Sequence, residues 1–251
     1  MRLVMVKTDH IISRGSLCNV LGPNVGLVVA GHLYLAVVLA AAETARRLYR
    51  MRPALTRKAA HAALSLWCIP TVLFIEDFGA GLALPLSLLA ISWISFRTGW
   101  LRSIEDAGHT IGNVLFAVSY VVLLALLWAP HAHAPHSDRG YLAVAAILSM
   151  GLGDSAAAIA GRRFGTRRLK ILAHARTMEG MLAMFLVSGA AMAPVLAQIG
   201  GHDSHQAVAF SLIAATVAAS VEPVSPYGTD NLSVPFSVAL TLYVLVRLTA
   251  L

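Results

Sequence analysis

The sequence predicts an all-α, polytopic membrane protein with about eight transmembrane helices, some of them interrupted near one membrane face. Three observations carry that prediction. Apolar residues make up 58% of the 251-residue chain and charged residues only 12%, with a mean hydropathy of +0.74; soluble domains carry about 25% charged residues. The apolar residues come in runs close to the ~20 residues that a helix needs to cross the hydrocarbon core. Those runs are continuous and rich in Ala and Leu, whereas a membrane barrel needs strands of about ten residues with alternating polarity. Helices and closed barrels are the two ways to satisfy backbone hydrogen bonds in lipid, so helices remain. The same composition excludes a disordered chain, a collagen repeat and a disulfide scaffold.

Eight spans are predicted, at 21–41, 59–76, 79–96, 111–129, 141–160, 181–199, 207–224 and 232–250. The first follows a long polar leader. Ala40, Ala41 and Ala42 have the small-residue character of a signal-peptidase site, but the basic flank behind them opposes translocation, so the span is expected to stay uncleaved. The second opens at the basic RKAAH, and the third and fourth flank a loop carrying Glu105, Asp106 and His109. The fifth closes on GLGDSAAAIAGRRFG, and the sixth opens just after Glu179 and Gly180. Between the last two, Pro223, Pro226 and Gly228 break the helix. Cys18 lies in the leader and Cys68 in the second span, so no structural disulfide is expected. With no internal repeat, linker or low-complexity tract, residues 1–251 read as a single integral-membrane domain, 1–20 being an extracytoplasmic tail.

Orientation follows from Lys and Arg, which concentrate in cytoplasmic loops. The first loop carries Arg46, Arg47, Arg50, Arg52, Arg57 and Lys58, the third Arg97 and Arg102, and the fifth Arg162, Arg163, Arg167, Arg168, Lys170 and Arg176. Arg2, Lys7, Arg14, Arg139 and Arg247 lie on the other side. Odd-numbered loops are therefore expected in the cytoplasm and both termini outside. The net charge of +7 and pI near 9.9 do not indicate nucleic acid: the charge sits in short loops against the bilayer, with no soluble module to dock a groove. Basic loops there meet anionic headgroups by default.

In so apolar a chain, ionisable residues at membrane depth are the informative ones. They gather on one side. Arg57 and His61 stand four apart on one helix face as the second span begins. Asp154, Ala158, Gly161 and Gly165 share a face whose small residues let a neighbouring backbone approach. Glu179 opens the sixth span, and the helix break after Glu222 presents Asp230 and Asn231. Carboxylates beside many guanidiniums have two readings. They are ion pairs at helix ends, worth little individually when exposed, or a Mg²⁺–nucleotide site, in which hard carboxylate oxygens hold the cation and Arg and Lys neutralise phosphate. There is no Walker A loop or dinucleotide fingerprint.

The order of motifs decides between them. RKAAH (57–61), GDSAAAIAGRRFG (153–165), ARTMEG (175–180), then Glu222 and the Gly-Thr-Asp-Asn of 228–231, together resemble the polyprenol kinase family: dolichol kinase, phytol and farnesol kinases and CTP-dependent diacylglycerol kinase, related to phosphatidate cytidylyltransferase. The pieces span about residues 43–235. The resemblance implies a lipid alcohol kinase using CTP and Mg²⁺ by in-line transfer, in which positioning and charge neutralisation supply most of the acceleration. Asp154 and Asp230 match the family's metal-associated acids, with Glu222 beside them. Asn231 and Glu179 match polar residues of the same pocket, and Arg57, Lys58 and Arg176 match its phosphate contacts, which Arg162 and Arg163 would extend. His61 or Glu179 would accept the hydroxyl proton. The chain departs from the family in having Arg176 where Lys is usual, and His174 near where a Ser-Pro is common; Arg is no isostere of Lys. Phytol, farnesol, dolichol and diacylglycerol all present one hydroxyl on a long apolar tail. The expected site is the cytoplasmic side of a bacterial cytoplasmic membrane.

Two rivals remain. A cytidylyltransferase would share the Asp154 and Glu179–Gly180 elements, but its histidine- and glycine-rich segment near the C-terminus is missing where YGTDN stands. A transporter would spread polar residues through both membrane halves and show an inverted repeat, and neither is found. The outer loops HAHAPHSD (131–138) and GHDSH (201–205) have spacings that suit Zn²⁺ or Cu²⁺ or serve as polar turns.

Overall fold

The computed structural model describes residues 23–104, 111–129, 139–171, 174–226 and 228–249. Each of the eight predicted spans falls on helix. The helices are α1 (Pro23–Leu48), α2 (Pro53–Leu66), α3 (Cys68–Phe74), α4 (Phe78–Thr98), α5 (Gly112–Leu127), α6 (Gly140–Leu148), α7 (Ser155–Arg163), α8 (Met178–Pro194), α9 (Ser204–Val224) and α10 (Asp230–Thr249). Among the described residues, six helical stretches are long and apolar enough to cross a membrane: Asn24–Leu48, Phe78–Thr98, Gly140–Arg163, Met178–Ile199, Ser204–Val224 and Asp230–Thr249. Gly112–Leu127 is a shorter apolar helix. The protein is an all-α polytopic membrane protein.

Three interruptions shape the bundle. The predicted span 59–76 divides at Trp67, because Pro70 has no N–H to offer the carbonyl of Leu66. A π-helical turn, Ser149–Asp154, joins α6 to α7, and a second, Val195–Ile199, follows Pro194. Such turns often mark functional positions. One short element was not foreseen: strands β1 (Arg168–Ile171) and β2 (His174–Thr177) form an antiparallel hairpin between α7 and α8.

Caps mark helix starts where the sequence supplies short polar side chains. Asp77 accepts from the Ala80 amide at 2.7 Å, Thr177 from that of Gly180 at 3.2 Å, and Asp203 from those of His205 and Gln206. Asp203, one of the outer-loop residues with a metal-like spacing, is thus a capping residue, and His202 Nε2 lies 3.3 Å from the Tyr141 hydroxyl. The 131–138 loop, Glu105, Asp106, His109 and Cys18 lie outside the described residues; Cys68 is a buried free thiol.

The bundle is built round the fifth predicted span. Of the apolar 18-residue stretch in Gly140–Arg163, 78% is buried inside the protein, against 22% of that in Asn24–Leu48. Leu142 to Ala146 are wholly buried, in contact with α3, α5 and α10. Every residue of α6 except the half-buried Tyr141 is buried because the helix has neighbours on all sides, so no amphipathic stripe is possible. At its far end Gly151 lies against Ser65 and the His61 carbonyl of α2, and Gly153 against Ser188 of α8. A Cβ at either would collide, so the turn bearing Asp154 is wedged between two helices.

Candidate active site

Four segments meet at one end of the bundle: the start of α2, the π turn with α7, the hairpin with the start of α8, and the break between α9 and α10. Pro53 is suited to the first turn of α2, where its missing N–H costs nothing. Helical spacing then sets Ala54, Arg57 and Lys58 on one face. Ser155 ties that helix to the π turn, its hydroxyl lying 2.7 Å from the Lys58 carbonyl and 2.6 Å from that of Gly151. Close approach of α7 and α8 depends on Gly161 and Gly180, where a Cβ would fall 2.7 Å from the Thr177 hydroxyl and 3.0 Å from the Ala157 carbonyl respectively.

Asp154, Glu222 and Asp230 converge there, with one ligand oxygen from each lying within 4.8 Å of the others. They are only 2%, 3% and 6% exposed. Three buried acids so close repel one another, and buried charges persist only when paired. Lys58 pairs with Asp154. Arg176, reaching in from β2, places Nη2 3.0 Å from Glu222 and 3.8 Å from Asp230. Asp230 opens α10, where the helix dipole favours an anion, and its Oδ1 accepts from the Asn231 amide at 3.0 Å and Nδ2 at 3.1 Å. Ser119 on α5 donates to the Asn231 carbonyl at 2.7 Å, fastening the start of α10 to the bundle.

A cavity of about 310 Å³ opens beside this cluster, lined by Arg57, Lys58, Arg162, Arg176 and Glu222 with Ala157, Gly161, Thr177 and Gly180. Its walls are cationic, and the acids stand at one side. The donor set suits a small hard dication, which takes carboxylate oxygens and keeps waters for phosphate exchange. Asn231 Oδ1, buried and without a hydrogen-bond partner, adds a neutral oxygen donor next to Asp230.

Not every residue singled out by sequence comes to the cavity. Lys58 does, but as the buried partner of Asp154. Arg163 is exposed, its guanidinium 5.7 Å from the Phe164 ring centre, and does not line the cavity. Glu179 does not line it either: its Oε1 accepts from the Thr166 amide and hydroxyl at 3.1 and 2.6 Å and from the Arg167 amide at 3.3 Å, closing the base of the hairpin that carries Arg176. His61 lies one turn beyond Arg57, stacked on Phe116 at 4.2 Å with Nε2 2.9 Å from Asn113 Oδ1. The sequence reading missed Ser155, Thr166 and the role of Asn113. A hydroxyl directly after Asp154 in GDS was the one visible signal; the other two bond only through tertiary contacts.

A profile of the cytidylyltransferase family matches residues 12–225, most of the chain. The chain belongs to the cytidylyltransferase family. Within it, the chain is 29% identical over 220 residues to a phytol kinase from Synechocystis sp., covering 82% of this chain and 86% of that relative. No solved structure matches it. These findings bear out the resemblance to polyprenol kinases, and they set this member of the cytidylyltransferase family among lipid kinases and their relatives.

Proposed function

We propose that the protein phosphorylates a membrane-embedded isoprenoid alcohol, of the phytol class, using CTP and Mg²⁺ on the cytoplasmic side of the membrane, with both termini outside. The observation that carries this reading is the meeting of three buried carboxylates with Arg57, Lys58, Arg162 and Arg176 at one cavity. An ion-pair lattice for stability alone would need no cavity. The phytol kinase relative supports the acceptor class, and the Lys and Arg distribution supports the orientation.

Asp154, Glu222 and Asp230 would hold Mg²⁺, with Asn231 Oδ1 adjacent. When bound, the cation would neutralise charge between nucleotide phosphates. Arg57 and Arg162 would clamp the phosphates from opposite walls. Arg176 would exchange part of its contact with Glu222 for phosphate oxygens, and Lys58 would hold the Asp154 carboxylate in place. Glu179 acts at a distance in this reading, holding the hairpin so that Arg176 reaches the acids.

The test is phosphate transfer by purified protein from γ-labelled CTP or ATP, with Mg²⁺, to a panel of isoprenoid alcohols and diacylglycerol. Label entering an isoprenoid alcohol from CTP is the expected result. The family match supports a second reading, cytidylyl transfer to a lipid phosphate. In that case α-label from CTP enters lipid supplied as phosphatidate, and γ-label leaves as pyrophosphate.

A further inference from the structure

α1, α4 and the residues just after α4 line a groove of about 530 Å³, within the size range of small-molecule sites. Its lining is mainly apolar, including Leu39, Ala40, Ile91 and Leu101, and Glu43 and Arg47 stand at its rim. Leu39, only 8% exposed, lines this groove and also a small void of about 10 Å³ behind it, where His61, Asn113 and Phe116 meet. That void is close to the size of one water-sized group.

His61, which lines the void, holds an acceptor with nothing to accept from. Asn113 Nδ2 donates to the Ile104 carbonyl, so its Oδ1 is the atom facing His61 Nε2, and Nε2 must carry the hydrogen. A neutral imidazole protonated there has its lone pair on Nδ1. Nδ1 is buried without a hydrogen-bond partner, in a side chain that is 4% exposed. Leaving such a group unsatisfied is costly, and a hydroxyl is the smallest donor that would satisfy it. His61, which lines the void, follows Arg57 and Lys58, which line the phosphate cavity, by one helical turn of α2.

We infer that the apolar chain of the lipid alcohol lies in the groove between α1 and α4 and that its hydroxyl passes Leu39 to donate to His61 Nδ1. The inference rests on the kinase reading above and adds the acceptor site and the base to it. In the transfer, the alcohol oxygen bonds to the γ-phosphorus of the nucleoside triphosphate as the bond to the β–γ bridging oxygen breaks. The electron pair leaves with the nucleoside diphosphate, and the hydroxyl proton passes to Nδ1, giving an imidazolium that later releases it to water.

Two measurements test this on the full-length protein in lipid nanodiscs. A C20 isoprenoid alcohol bearing a diazirine is photolysed and its adducts are mapped by mass spectrometry. Adducts are expected on the segments of Leu39, Ile91 and Leu101, competed by the unmodified alcohol but not by excess phospholipid. Adducts elsewhere, or equal competition by phospholipid, overturn the groove. This readout needs no turnover, so it stands apart from the kinase reading, which fails instead if wild-type protein transfers no γ-phosphate. In the kinetic arm, Leu39→Trp should raise KM for the C20 alcohol about tenfold, the scale expected of one blocked apolar contact, with KM for CTP unchanged. His61→Ala should lower kcat about 100-fold, as loss of a general base does, with partial rescue by added imidazole. Unchanged kcat in folded His61→Ala, or loss without imidazole rescue while Leu39→Trp behaves as wild type, overturns the inference.

Discussion

The two basic loops, 46–58 and 162–176, carry six Lys and Arg each, and the fold uses them unequally. In the first, Arg57 and Lys58 reach the cavity because they stand on a helix that packs against the π turn and α7. Arg46 and Arg47 turn the other way and pair with Glu43, Arg47 at 2.6 Å, while Arg50 and Arg52 are exposed. In the second, neighbours diverge: Arg162 lines the cavity and Arg163 leans on Phe164 in solvent. Arg176 lies far along the loop and is brought back by the hairpin to two buried acids. Charge density told at which end of the bundle the cations gather. It did not tell which cations serve the site, because that depends on what each helix face packs against.

The comparison breaks most sharply at the buried acids. Asp154→Asn is expected to reduce phosphate transfer at least 100-fold and to lower Tm, since removing one partner of a buried pair costs about 3–5 kcal/mol. The double variant Lys58→Met, Asp154→Asn should recover most of the Tm and none of the activity, which separates the acid's chemical role from its structural one. Arg176→Ala should lose about 100-fold in kcat/KM, and Arg176→Lys about tenfold, because one ammonium cannot span Glu222 and Asp230 as a guanidinium does. Equal loss in both would mean that the fork geometry is indispensable.

Smaller effects sharpen the contrast. Glu179→Gln should cost about tenfold in kcat, in the range of a weakened charge-assisted hydrogen bond, with KM for the alcohol unchanged. Thr166→Ala should weaken activity in the same direction if Glu179 acts through the hairpin base. Arg163→Ala should stay within about twofold of wild type, as expected for an exposed charge. A tenfold loss there would place that side chain in the phosphate clamp after all and erase the difference between it and Arg162.

Legibility followed the range of the interactions. Spans came from local hydropathy, and the break near Pro223 and Pro226 came from proline chemistry within one turn; the break matches the structure, and six of the eight spans fall on helices that are, among the described residues, long and apolar enough to cross. The small-residue face on α7 was readable because helical spacing projects Ala158 and Gly161 to one side, and Gly161 does meet Gly180. The division at Trp67 was not read, although Pro70 was visible, because a proline inside an apolar run ends or merely kinks a helix according to its neighbours. The hairpin was missed because short paired strands in a charged loop have no periodicity long enough to register.

By itself, the sequence determined that the chain must be a helical bundle in lipid and that acids and cations gather at one end of it. These follow from desolvation and backbone hydrogen bonding, which act residue by residue. Only the tertiary structure decided that Lys58 is the partner of Asp154, that Glu179 closes a hairpin outside the cavity, and that His61 faces a void beside Asn113 and Leu39. Those outcomes depend on contacts between residues some 50 to 100 positions apart in several cases, such as Lys58 with Asp154 and His61 with Asn113. No local pattern specifies such pairings, because the energy of a buried charge or a buried lone pair is set by whatever the packing places opposite it.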